Sequence, residues 1–271
     1  MPDYYAHLTF GEKVLRNLPA ELRNRIARQL EAYIYGQYGP DPLFFLNGYT
    51  RKIAQRMHRN PVKLPVANLS GAVARGDDQA DGYAAGFLCH FVLDSVCHPY
   101  VLDKASRSHL NHTAVEAEFD RFLMARRGIL ALKQMPMPPM SRNYNVYSAG
   151  AVPYGVTAAV YNHALAAFRL VAGAITAANG TPVRGIVEAA GKAFPGLKSL
   201  RGAVAGKLPS HEAYESNRAL SLLMDGAVDN CCELIEDFFH EADRGSMLYT
   251  PQLEENFYGC VSGKIICVSL K

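Results

Sequence analysis

With 271 residues, 49% of them hydrophobic and 20% charged, the chain can bury a full core and has the composition of a soluble globular protein. Its formal net charge is only +3 and its densest basic pair is Arg126-Arg127, which gives no support to electrostatic capture of nucleic acid. It has no run of 18 apolar residues to span a bilayer and no apolar stretch of the secretory kind near Met1, so a cytoplasmic location is expected.

Residues 6–18 carry apolar side chains at helical period, with His7 at the opening and Pro19 as the stop. A second helix is expected from Ala20 to Gly36. Gly39-Pro40-Asp41-Pro42 then forms a rigid turn that presents Asp41 at a fixed position. The same residue suits the N-cap of a helix over 42–58 that ends near His58. Prolines and glycines interrupt 60–77 and leave room for a short helix at 66–75.

The stretch 82–120 is the chemical centre of the chain. His90, Asp94 and His98 fall at i, i+4 and i+8, so one stripe of one helix carries two imidazoles and a carboxylate. Gly82 and Gly86 extend that stripe, where another backbone or an ion can approach closely, and Phe87, Leu88, Phe91, Val92 and Leu93 fill the other faces. Pro99 is expected to limit this helix. His112 and Glu116, again at i and i+4, lie in a second apolar segment, with Asp120 one turn further. Polar groups in a buried helix must be paired or bound, and imidazole with carboxylate is ligand chemistry for zinc or a similar divalent ion. Cys97 lies about 100° around the helix from His98 and reads as core packing. The six cysteines include no CxxC pair and read as free thiols.

Beyond a helix closing at Ala125-Arg126-Arg127-Gly128, residues 133–150 hold three prolines, three methionines and two tyrosines and are expected to be irregular. Such a loop covers the site, offers an adaptable apolar surface to a lipid chain, or merely joins two helices. Helical patterns return over 153–178, 183–193 and 211–243. From Gln252 the tail, with Val261, Ile265, Ile266 and Val268, fits a terminal strand or an extended arm. His163, His211 and His240 lack acidic partners at ligand spacing and are expected to be structural. The expected fold is all-α: one domain over 1–271, a multi-helix bundle with a metal cluster on inward-facing positions.

The string His90-x3-Asp94-x3-His98-Pro, followed by His112-x3-Glu116, resembles the metal-binding core of the zinc-dependent phospholipase C family, whose relatives include the single-strand-specific zinc nucleases. In that family a histidine near the mature N-terminus, an aspartate in a tight turn and a later histidine precede the core. His7, Asp41 and His58 stand in that order here, and the resemblance is strongest over 1–125. It implies Zn2+ as the metal and eight ligands: His7, Asp41, His58, His90, Asp94, His98, His112 and Glu116. Asp41, His58, His90 and Asp94 would gather at one ion and His98, His112 and Glu116 at a second, with Asp94 bridging ions. Secreted relatives complete a third site with the amino group and carbonyl of an N-terminal tryptophan, but this chain contains no Trp. Either Asp3 or the chain start substitutes there, or two ions bind.

The implied function is zinc-dependent phosphodiester hydrolysis of the phospholipase C kind, with Asp41 also placed to act as general base for the attacking water. The substrate would be a phosphoester, either a phospholipid head group or another. The alternative is a metal-stabilised helical protein without catalysis, whose ions would be wholly enclosed where an enzyme keeps an open coordination position. A helical HD-type phosphohydrolase requires an adjacent His-Asp pair and a zincin requires HExxH; neither occurs.

Overall fold

The computed structural model describes residues 4–46, 48–130, 132–137, 140–193 and 202–261. Its axis is α6 (Ala80–Arg107), 28 residues long and buried from Ala80 to Ser95 at every position but Asp81. The expected glycine stripe is used for packing. A Cβ on Gly86 would overlap the carbonyl of Tyr33, and one on Gly36 would overlap that of Tyr83, so α3 (Leu30–Gly36) lies backbone to backbone on α6. Close backbone approach, not an ion, explains those glycines.

Around α6 pack α1 (Tyr4–Asn17), α2 (Ala20–Ala27), α5 (Lys63–Ala74), α7 (His112–Arg126), α8 (Tyr144–Ala151), α11 (Ala213–Gly226) and α12 (Val228–Asp243). Outside this shell are α4 (Gly48–Arg59), α9 (Ala158–Ala178) and α10 (Val183–Ala193). Among the described residues there is no strand, only an isolated bridge between Glu255 and Val261. The fold is all-α, with buried His and Asp groups facing inward.

Several boundaries differ from expectation, each for a local reason. Pro99 does not end α6; the helix runs on to Arg107, and the Ser95 carbonyl that loses its helical donor at Pro99 is packed from outside by Gly259 of the C-terminal segment. The helix expected over 20–36 breaks at Gln29, whose side-chain oxygen instead accepts the backbone N–H of Gly82 at 2.8 Å, an orphan donor in the first turn of α6. The long helix over 211–243 is two helices that meet at Ala227, directly after the poor helix former Gly226. Over 42–58, a 3-10 turn (Asp41–Phe45) precedes α4. The proline-rich stretch contains a regular element after all, since Asn143 caps α8 by accepting from Asn145 N at 3.0 Å. Ile265, Ile266 and Val268 of the expected tail strand lie outside the described residues; the segment before them is a 3-10 turn (Pro251–Glu254) and a tight turn.

Two helices, α6 and α9, are long and apolar enough by length and composition to cross a membrane. In α6 that surface is mostly buried in the core, whereas α9 buries little of its own. Cys89, Cys97, Cys231, Cys232 and Cys260 are free thiols, and Cys267 lies outside the described residues.

Candidate metal centre

Five elements deliver the eight residues to one place. His7 comes from the first turns of α1, Asp41 from the 3-10 turn, His58 from the last turn of α4, His90, Asp94 and His98 from α6, and His112 and Glu116 from the start of α7. They form three groups, the first two sharing His90: His7, His90 and Asp94; Asp41, His58 and His90; and His98, His112 and Glu116. Within each group one ligating atom per residue lies within 4.8 Å of the others. His109, His163, His211 and His240 are exposed and belong to none of them, and neither does Cys97.

Asp94 is the hub. Its Oδ1 lies 3.3 Å from His7 Nε2, while its Oδ2 lies 3.3 Å from His90 Nε2, 3.6 Å from His98 Nδ1 and 4.0 Å from His58 Nε2. Asp41 Oδ1 is 3.2 Å from His58 Nε2. Glu116 Oε1 is 2.7 Å from His112 Nε2 and 3.6 Å from His98 Nε2. The rings of His7 and His90 stack with centroids 4.2 Å apart.

The second nitrogen of three of these rings is fixed by main chain. His58 Nδ1 donates to Ala54 O at 2.9 Å, His90 Nδ1 to Gln37 O at 3.0 Å and His98 Nδ1 to Phe257 O at 2.6 Å. A carbonyl can only accept, so each Nδ1 carries the proton and the lone pair of the neutral ring sits on Nε2, facing the carboxylates. This is how histidines that ligate metals are held. Gly39, in the left-handed region at φ 51°, makes room: a Cβ there would overlap the His90 ring.

Buried polar atoms left without hydrogen bonds test whether a cation belongs here. His90 Nε2 and Asp41 Oδ1 are both buried, and with the ring protons on Nδ1 each faces only another acceptor among the described residues, Asp94 Oδ2 at 3.3 Å and His58 Nε2 at 3.2 Å. Each such atom costs about 1–3 kcal/mol unless something satisfies it. Nitrogen and oxygen donors converging in this way fit zinc.

The electrostatics agree. Burial pushes the Asp94 carboxyl up, but His98 and His90 outweigh it and hold Asp94 well below the usual carboxylate range. Glu116 behaves likewise, with burial outweighed by His112. Burial disfavours charge on His98, yet Asp94 and Glu116 raise its pKa to about 9. His58 is raised in the same sense by Asp41 and Asp94. Carboxylates that hold protons on neighbouring imidazoles will hold a cation in their place.

Two contributions escape a reading of the sequence. Asp120, wholly buried on α7, accepts from Ala6 N at 2.8 Å and Tyr5 N at 3.3 Å, anchoring the start of α1 and so the position of His7. Its i+4 spacing from Glu116 is the only signal, and it points to a ligand instead. Phe257 and Tyr258 reach the centre from the far end of the chain with no motif to announce them.

A helical protein that gathers histidines and carboxylates around buried donor atoms in this way is built to hold metal ions. The zinc-dependent phospholipase C family model matches residues 6–154, more than half of the chain and all eight residues above, and the chain belongs to that family. It is thus a zinc-dependent hydrolase by family. No curated protein and no solved structure matches it.

Proposed function

We propose that the protein hydrolyses phosphodiesters, phospholipid head groups among them, with zinc held by His7, Asp41, His58, His90, Asp94, His98, His112 and Glu116. The observation that carries this reading is the gathering of all eight into three groups, two sharing His90, with Asp94 Oδ2 3.6 Å from His98 Nδ1 as the link to the third. Bound zinc supplies acidification of water and neutralisation of phosphoryl charge.

The chain's own residues divide the remaining work. Asp94 and Glu116 set the spacing of the histidines. The backbone carbonyls of Ala54, Gln37 and Phe257 keep Nε2 of His58, His90 and His98 aimed inward. Asp41 is the general base: burial is outweighed by His58 and its pKa is lowered, so it is ionised at neutral pH, and its side chain is 13% exposed against 6% for Asp94 and Glu116. It takes the proton of the water that attacks phosphorus as the bond to the leaving oxygen breaks.

Two features favour an enzyme over an enclosed structural site. His112 keeps 32% of its side chain exposed, so one edge of the centre is open. Next to His58, the outer face of α4 carries Lys52, Arg56 and Arg59, none paired with a carboxylate among the described residues, which suits an anionic ester. The test is a panel of phosphodiesters, phosphomonoesters and phospholipid vesicles offered to zinc-loaded protein. Hydrolysis that a chelator abolishes and zinc restores is expected; no turnover across the panel overturns the reading.

A further inference from the structure

The turn 256–260 lies far beyond the segment that the family model matches, yet it is built into the centre. Asn256 makes the turn. Its Oδ1 accepts from Tyr258 N at 2.8 Å and Cys260 N at 3.2 Å, its N–H donates to Cys260 O at 3.0 Å, and its Nδ2 donates to Arg59 O at 3.1 Å, one residue past His58. Gly259, at φ 67°, fits against α6 where a Cβ would overlap the carbonyl of Ser95, the one whose helical donor Pro99 lacks. Phe257 is fully buried, its ring 5.1 Å from that of His58 and 5.5 Å from that of His90.

These contacts leave Tyr258 in a singular position. Its ring centroid is 5.2 Å from His98 and 6.2 Å from His58, two histidines that belong to different groups of the cluster. Its backbone N–H is satisfied by Asn256, whereas its hydroxyl has no hydrogen-bond partner among the described residues. The side chain is neither core nor free surface, and it lies within electrostatic reach of Asp94, Arg59, Asp41 and Glu116. A phenol held between two cation-binding groups, with an unused donor, is placed to meet an oxyanion that both groups share.

We propose that Tyr258 is a substrate-contacting residue whose hydroxyl donates a hydrogen bond to a non-bridging oxygen of the phosphoryl group seated between the His58 and His98 groups. The assignment rests on the phosphoester reading above, and it adds a part of the site that lies outside the family-matching segment. Asn256 is the positioning residue that delivers it.

The test compares zinc-loaded wild type, Tyr258→Phe and Asn256→Ala in four measurements: zinc content, thermal midpoint, calorimetric affinity for inorganic phosphate, and kcat/KM on an activated phosphodiester. Tyr258→Phe should keep its zinc and thermal midpoint, bind phosphate several-fold more weakly, and lose on the order of 10- to 100-fold in kcat/KM, somewhat below the loss of a dedicated oxyanion donor. Asn256→Ala should weaken phosphate binding in the same direction. Unchanged phosphate affinity in Tyr258→Phe overturns the proposal, as does loss of zinc from that variant, which would make the phenol structural. If wild type hydrolyses no ester, the phosphoester reading fails while the phosphate titration still decides whether Tyr258 contacts an oxyanion.

Discussion

Replacing Asp94 by Asn keeps the volume of the hub and removes its charge, so it isolates what the carboxylate does for the four imidazoles within 4.0 Å of it. In the zinc-free protein the clearest consequence falls on His98. Burial lowers its pKa, but Asp94, then Glu116, then the Phe257 carbonyl raise it to about 9 from an ordinary 6.5. A shift of that size corresponds to roughly 3 kcal/mol at about 1.4 kcal/mol per unit, of which Asp94, one of three favourable partners, accounts for on the order of 1–2 kcal/mol. The sign follows from the direction of the shifts. A raised histidine pKa stabilises the fold fully below 6.5 and loses that effect as pH rises through about 9. The lowered pKa of Asp94 stabilises above 3.8 and fades only as pH falls through its folded value. Asp94→Asn should therefore cost most stability between about pH 4 and 6.5 and progressively less as pH rises from 6.5 through about 9. Denaturant unfolding of zinc-free protein at pH 5.5 and at pH 9.5 (about one unit below 6.5 and just above 9) measures the difference. Zinc analysis of the loaded variant should show lost occupancy. An equal stability deficit at both pH values, or undiminished zinc, would refute the placement of Asp94 at the hub.

Zinc uptake should release protons at neutral pH, because His58 and His98 hold theirs more tightly than free histidine and must give them up to ligate. Apparent zinc affinity should accordingly climb with pH until about 9, and calorimetric titrations in buffers of different ionisation enthalpy will register the release; its absence at pH 7 would contradict the raised values. Asp120→Ala should strip two backbone donors of α1 of their acceptor, at about 1–3 kcal/mol each if they stay buried, and loosen His7. A lowered thermal midpoint with reduced zinc content is the expected result, and a variant indistinguishable from wild type would show that α1 is anchored otherwise.

Much of the centre is legible because helices convert spacing into direction. His90, Asp94 and His98 had to share a face of α6, and His112 had to sit above Glu116 on α7, since residues four apart are neighbours on any helix. Asp41 was readable from its Gly-Pro context, and the all-α fold from apolar periodicity. Pro99 misleads because its local rule is sound but incomplete. The ring does remove a hydrogen bond, and the Ser95 carbonyl thus freed of its helical donor accommodates a turn that only tertiary structure brings near. Asp120 misleads in the opposite sense: its spacing from Glu116 is that of a ligand, while its carboxylate caps another helix.

The least legible contributors are the atoms that carry no side-chain identity. Three histidines are oriented by backbone carbonyls, one four residues away at Ala54, the others distant in sequence at Gln37 and Phe257. Any residue at those positions offers the same oxygen, so no pattern of residue types could reveal it. Nor can a substitution at Phe257 delete that acceptor. The orientation of His98 is therefore vulnerable only where the turn itself is specified, at Asn256, which closes it, and at Gly259, where a side chain would collide with α6. Sensitivity of the metal centre to change should consequently appear at two residues that touch no metal-ligating atom, a distribution that follows from backbone geometry and that the ligand motif alone would not reveal.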